Sequence, residues 1–203
     1  MNRIAALALL AALAPSGASA ITIAGFETAR TLEPQHLEAG GAFAGADDFW
    51  TAWAHGRIGL LPELDARLAV GFVLADEDPG FEVAFGGKFR FLRTADTAGF
   101  VDVAAGASGS FLKTDDLFMF GLDPEVYVSH HFALPGKREL FIAGTIGAAM
   151  TIVDVDGADE EAELGLLGAV TFGVDIVEDV CLALEGRRRD DLYRLGLSVT
   201  VDF

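Results

Sequence analysis

Ser129-His130-His131 is the pairing in this chain most suggestive of chemistry. On an extended strand, side chains alternate between faces. Ser129 and His131 therefore share one face, and Glu125 lies further along the same row. A serine nucleophile needs a base within hydrogen-bond reach, and that base needs an acid to orient it. Ser129, His131 and an acid would thus suit a hydrolase or acyltransferase, one acting on lipid if the strands prove to sit in a membrane. Against this, neighbours two apart are found on every strand, and Phe132 follows directly. The histidines are expected at an interface beside that ring, so no catalytic residue is assigned and an enzyme is not expected.

The acidic run Asp154-Val-Asp-Gly-Ala-Asp-Glu-Glu-Ala-Glu163 offers oxygen ligands of the kind calcium takes. Its glycine sits at the fourth place rather than the sixth, so it is not an EF-hand loop. A solvated, self-repelling loop is the expectation. No Walker loop, dinucleotide fingerprint or zinc-ligand cluster is legible, and no cofactor or metal is assigned.

The elements that hold these residues are legible at the C-terminus. Tyr193, Leu195, Leu197, Val199, Val201 and Phe203 form one apolar row; Arg194, Gly196, Ser198, Thr200 and Asp202 form a small or polar one. A strand of about ten residues, apolar on one side, has the length a transmembrane barrel strand needs. Similar alternation recurs along the chain and predicts ten strands: 36–46, 49–61, 64–75, 80–92, 99–111, 117–132, 139–153, 163–176, 179–188 and 192–203. Eight or twelve strands are the alternatives.

The connections sort into two classes. The stretches 46–48, 75–79, 113–116, 154–162 and 189–191 each carry at least two acids. The alternate ones, 61–64, 93–98, 133–138 and 177–179, are short; the first three are mixed or basic, with Pro62, Pro135 and Gly136 as turn formers, and the last is Val-Glu-Asp. Aromatic residues gather near strand ends, with Trp50, Phe81, Phe118 and Phe120 toward the acidic loops. Phe89, Phe91, Phe100, Phe132 and Phe203 lie toward the short turns, completing two girdles.

Alternation alone does not say which row faces out, since a soluble lipocalin-like carrier barrel alternates too. The weaker rows are rich in Gly, Ala, Ser and Thr, which suits a narrow lumen better than a water-facing surface. With the apolar rows outside, a lumen network of Arg57, Arg67, Lys88, Arg90, Asp123, Glu125, Glu185, Arg187 and Arg194 is expected. Buried charges of both signs must pair or stay wet.

Composition narrows the class. The 203 residues carry a formal charge of −17 and are 52% hydrophobic. Strong acidity argues against nucleic acid as a partner. Residues 1–20 read as a cleaved secretory signal peptide: Arg3, an apolar run from Ile4 to Ala14, and Ala18-Ser19-Ala20 before the cut. Its removal takes away Arg3 and no acid, leaving −18. The lone Cys181 makes no internal disulfide and is expected as a small buried filler.

The leader Gly25-Phe-Glu-Thr-Ala-Arg-Thr-Leu-Glu-Pro34, the repeating hairpins and the terminal phenylalanine together resemble small bacterial outer-membrane β-barrel proteins of an uncharacterised proteobacterial type. The resemblance implies a closed all-β, antiparallel up-and-down transmembrane barrel over 36–203, preceded by a periplasmic leader segment at 21–35 that hangs free or enters the lumen as a partial plug. It implies outer-membrane lipid and lipopolysaccharide as surroundings and recognition of the last strand by the barrel-assembly machinery. The role it implies is structural or that of a small-solute pore.

Overall fold

A computed structural model describes residues 26–203, apart from 47–48, 76–77, 115–116, 156–160 and 190–191. Residues 1–20, where the sequence predicts a signal peptide, and the centre of the acidic 154–163 loop lie outside the described residues. Ten strands follow one another: β1 (Leu37–Ala46), β2 (Phe49–Leu61), β3 (Leu64–Ala75), β4 (Asp78–Leu92), β5 (Asp102–Lys113), β6 (Leu117–Leu134), β7 (Arg138–Val155), β8 (Glu161–Val177), β9 (Val180–Arg189) and β10 (Leu192–Asp202).

Each strand pairs antiparallel with its sequence neighbours, and β1 closes the ring on β10. Closure leaves no unpaired sheet edge. The seam is finished at the terminus, where Phe203 donates its N–H to the Leu37 carbonyl at 2.8 Å.

The strands lie close to the positions the alternation predicts. β5 begins at Asp102 rather than near 99, because Thr94–Gly99 folds into a tight turn with left-handed backbone at Ala98 and Gly99. β9 runs on to Arg189, one residue beyond the end that the alternation predicts.

Register fixes the faces. Leu197 opposes Phe43 and Leu184, and all three point outward. Glycine matters where another chain segment presses on the inward wall. A Cβ at Gly196 would lie 2.7 Å from the ring of Phe26, and one at Gly59 would collide with the Glu33 carbonyl oxygen. Both intruding residues belong to the leader.

Candidate functional site

The two rows of each strand carry the reverse of a soluble protein's burial. Phe72 is 80% exposed, Leu164 79% and Leu166 75%, while Glu82, Lys88, Asp123 and Glu185 are all within 2% of complete burial. Large apolar side chains stand outward on every strand of the ring. Water would penalise such a surface, whereas acyl chains would not. The chain is a small closed β-barrel whose outer surface suits acyl chains, as a membrane-spanning barrel's does. The soluble-carrier alternative fails on this point, since it requires the apolar rows inside.

The barrel's lumen is lined by charges of both signs. The structure places Arg57, Arg67, Lys88, Arg90, Asp123, Glu125, Glu185, Arg187 and Arg194 on the inward rows. Glu125 on β6 lies at their centre. Its carboxylate meets Arg67 of β3 at 3.3 Å and Arg187 of β9 at 3.4 Å, and it accepts a short hydrogen bond from Tyr127. These three strands lie well apart around the ring, so the pairs reach across the lumen instead of running along one wall.

Nearer the acidic loops, Arg189 meets Asp123 at 3.2 Å and donates to the Thr151 hydroxyl, and Arg194 lies over the Trp53 ring at 5.6 Å. Arg187 also holds Glu185 at 3.1 Å, and Thr171 donates to that same carboxylate. Toward the short turns, Arg57 bridges Glu38 at 3.3 Å and Asp65 at 3.6 Å, and Arg90 reaches Asp102 at 3.9 Å.

The leader completes this interior. Residues 26–32 enter the lumen from the short-turn mouth, so of the two placements considered for the leader, the structure shows the plug. Glu27 is buried between Arg67 at 2.6 Å and Lys88 at 3.0 Å. Lys88 also donates to the Thr28 carbonyl at 2.7 Å. Arg30 spans Asp102 at 3.2 Å and Glu139 at 2.6 Å. The backbone N–H groups of Phe26, Ala29 and Leu32 donate to Glu185, Ser129 and Asp65. The Phe26 ring packs beside Trp53, with centroids 6.1 Å apart, and against the small wall residues Ala44 and Ala183.

No rung of the sheet ladder is spent on residues 26–34: these contacts run mainly through side chains. The plug therefore owes its place to charge pairing, unlike the walls that surround it.

Parity along the third strand already sets Asp65 beside Arg67 on the inward row. Sequence reasoning missed Glu27, Arg30, Glu139 and Arg189 as members of the network. Glu139 and Arg189 could have been found by extending the strand parity. Glu27 and Arg30 could not, because a leader outside the strands carries no parity signal.

Ser129 and His131 do come together. The Ser129 oxygen lies 3.3 Å from His131 Nε2, and His131 Nδ1 lies 3.0 Å from Glu139. The acid on the histidine is thus Glu139 of β7, not Glu125, which is engaged by Arg67 and Arg187. Strand pairing explains the difference: Glu139 sits across the β6–β7 hairpin, close to His131, while Glu125 is more than a turn of pleat away. Ser129 is 1% exposed and accepts the Ala29 N–H at 3.0 Å, and Glu139 is held by Arg30. The same row thus also holds the leader, at Ala29 and at Arg30. His130 faces the other way, edge-on to Phe132 with ring centroids 4.3 Å apart, as expected for an interfacial histidine.

No protein-family model matches the chain, and no curated protein matches it. Among solved structures, a bacterial polysaccharide outer membrane secretin aligns over 76% of this chain with 13% identity and a TM-score of 0.46; the chain spans 57% of that structure. Neisserial surface protein A aligns over 82% of this chain and 93% of its own length, with 12% identity and a TM-score of 0.43. The N-terminal β-barrel domain of Pseudomonas aeruginosa OprF aligns over 85% of this chain and all of its own, with 9% identity and a TM-score of 0.38. Identities this low carry no residue-level correspondence.

Proposed function

We propose that this barrel is a sealed, non-enzymatic integral protein of the bacterial outer membrane, exported by a cleaved signal peptide and assembled through its C-terminal strand. One observation carries the reading: Arg67, Glu125 and Arg187 meet in mid-lumen from three separated strands, with the leader packed beneath them. A passing solute would have to part several buried ion pairs at once. Breaking a buried pair by removing one partner costs about 3–5 kcal/mol, so the filled state is the stable one. Ten strands also give a bore close to the size that side chains fill.

Planar-bilayer recording of the full mature chain tests this proposal. The expected trace shows no steady conductance above the bare membrane. A reproducible ohmic step would overturn the sealed reading in favour of a small-solute pore. The non-enzymatic part has its own test. A fluorophosphonate probe, which reports activated serines, should leave Ser129 unlabelled in the folded protein. Stoichiometric labelling lost in His131→Ala would establish a hydrolase instead.

A further inference from the structure

Phe26, Glu27 and Thr28 occupy the lumen in the manner of a bound ligand. The barrel wall supplies an apolar corner for a ring, made by Trp53, Ala44 and Ala183, with Gly196 leaving the space for it. Beside that corner, Arg67 and Lys88 converge on a single carboxylate at 2.6 and 3.0 Å. Lys88 takes a carbonyl oxygen next to it at 2.7 Å, and Glu185 accepts an N–H at 3.0 Å. Every group satisfied here belongs to the leader, and every group satisfying it belongs to the wall.

The two cations need this carboxylate. Without Glu27, Lys88 keeps Asp65 at 3.7 Å, which it shares with Arg57. Arg67 keeps Glu125 at 3.3 Å, which it shares with Arg187. Each would lose its nearest anion in a buried setting and keep only the longer contact, so a carboxylate placed between them restores the closer pairing. Planar Arg with a neighbouring ammonium suits a carboxylate oxygen pair.

We propose that the short-turn half of the lumen is a binding cup for a small organic carboxylate bearing an apolar or aryl group, and that the leader fills it as an internal mimic. The cup is blind, because the cross-lumen pairs of Glu125 and the Arg189–Asp123 pair close it toward the acidic loops. It opens to the periplasm when the leader withdraws. The assignment rests on the reading of the leader as a plug held in a sealed barrel.

The test uses the full mature chain carrying Phe26→Ala and Glu27→Ala, which removes the two side chains that fill the cup and changes no wall residue. The probe is 3-phenylpropanoate, with acetate, inorganic phosphate and sodium chloride at matched ionic strength as comparisons. The readout is the midpoint of the heat-induced loss of folded gel mobility. Saturating phenylpropanoate should raise that midpoint by about 3–6 °C at ten times its dissociation constant. Acetate should act weakly, and phosphate and chloride not at all. Adding Lys88→Met should remove the response. A folded variant indifferent to phenylpropanoate, or one that responds equally with Lys88→Met, would overturn the cup.

If the double variant folds only in part, its refolding yield becomes the readout, with the same order of probes expected and the same order reversed or flat as refutation. The plug reading fails separately. Trypsin cutting after Arg30 in the folded wild-type barrel would show the leader outside the lumen, whatever the probes do.

Discussion

Leu197 is the position where the membrane assignment can be tested most directly. It stands at the middle of β10, outward and 48% exposed, in a row with Phe43 and Leu184. Five residues at ~3.3 Å separate it from either end of the strand, and a strand tilt of about 40° turns those ~16 Å into roughly 12 Å of depth. That is half of an apolar band ~25 Å tall, so an arginine placed there meets the midplane. The expected penalty for Leu197→Arg is about 2–4 kcal/mol, a ~30- to 700-fold lower folding equilibrium constant. Tyr193→Arg, on the same row at the strand's end, should cost only about 0–1 kcal/mol.

Urea titration of folding into lipid vesicles, followed by tryptophan emission from Trp50 and Trp53, measures both. Leu195→Arg should fall between them. Thr200→Arg, on the inward row near the short-turn mouth, should be milder than Leu197→Arg. A flat profile from 193 to 197, or equal tolerance at 197 and 200, would refute the claim that these rows face acyl chains.

Three other perturbations probe the interior and the seam. Glu27→Ala removes the closest counter-ion of both Arg67 and Lys88 and should destabilise the barrel by about 3–5 kcal/mol in the same titration, with part of the loss recovered when Lys88→Met is added. Gly59→Val drives a side chain into the Glu33 carbonyl, so the leader should leave the lumen and Arg30 should become a trypsin site while the barrel stays folded. Deleting Phe203 removes the backbone pair to Leu37 that finishes the seam; folding should slow several-fold, with a smaller effect on the unfolding rate of barrels already formed.

The strand pattern was legible because a barrel wall obeys a period of two along every element. Leu164, Leu166, Val170 and Phe172 on β8 face out as their parity requires. Local chemistry blurred the ends: the Thr94–Gly99 turn delayed β5, and Arg189 looked like part of an acidic loop until pairing carried β9 to it. The partner of His131 was misjudged for a related reason. Distance along one strand singled out Glu125, while the hairpin brought Glu139 nearer from the next strand.

The sequence by itself determined that this chain forms an antiparallel wall with one greasy and one small or ionic row per strand, because alternation is a local property written residue by residue. Only the tertiary structure decided what fills the enclosure. Which arginine of β3 or β9 meets the carboxylate of β6 depends on closure of the ring and its register. That a free segment would supply Glu27 to Lys88 depends on a cavity that exists only once β1 has met β10. Charges tens of residues apart carry no mutual signal along the chain; they find each other because desolvation inside the closed barrel leaves each of them nowhere else to pair.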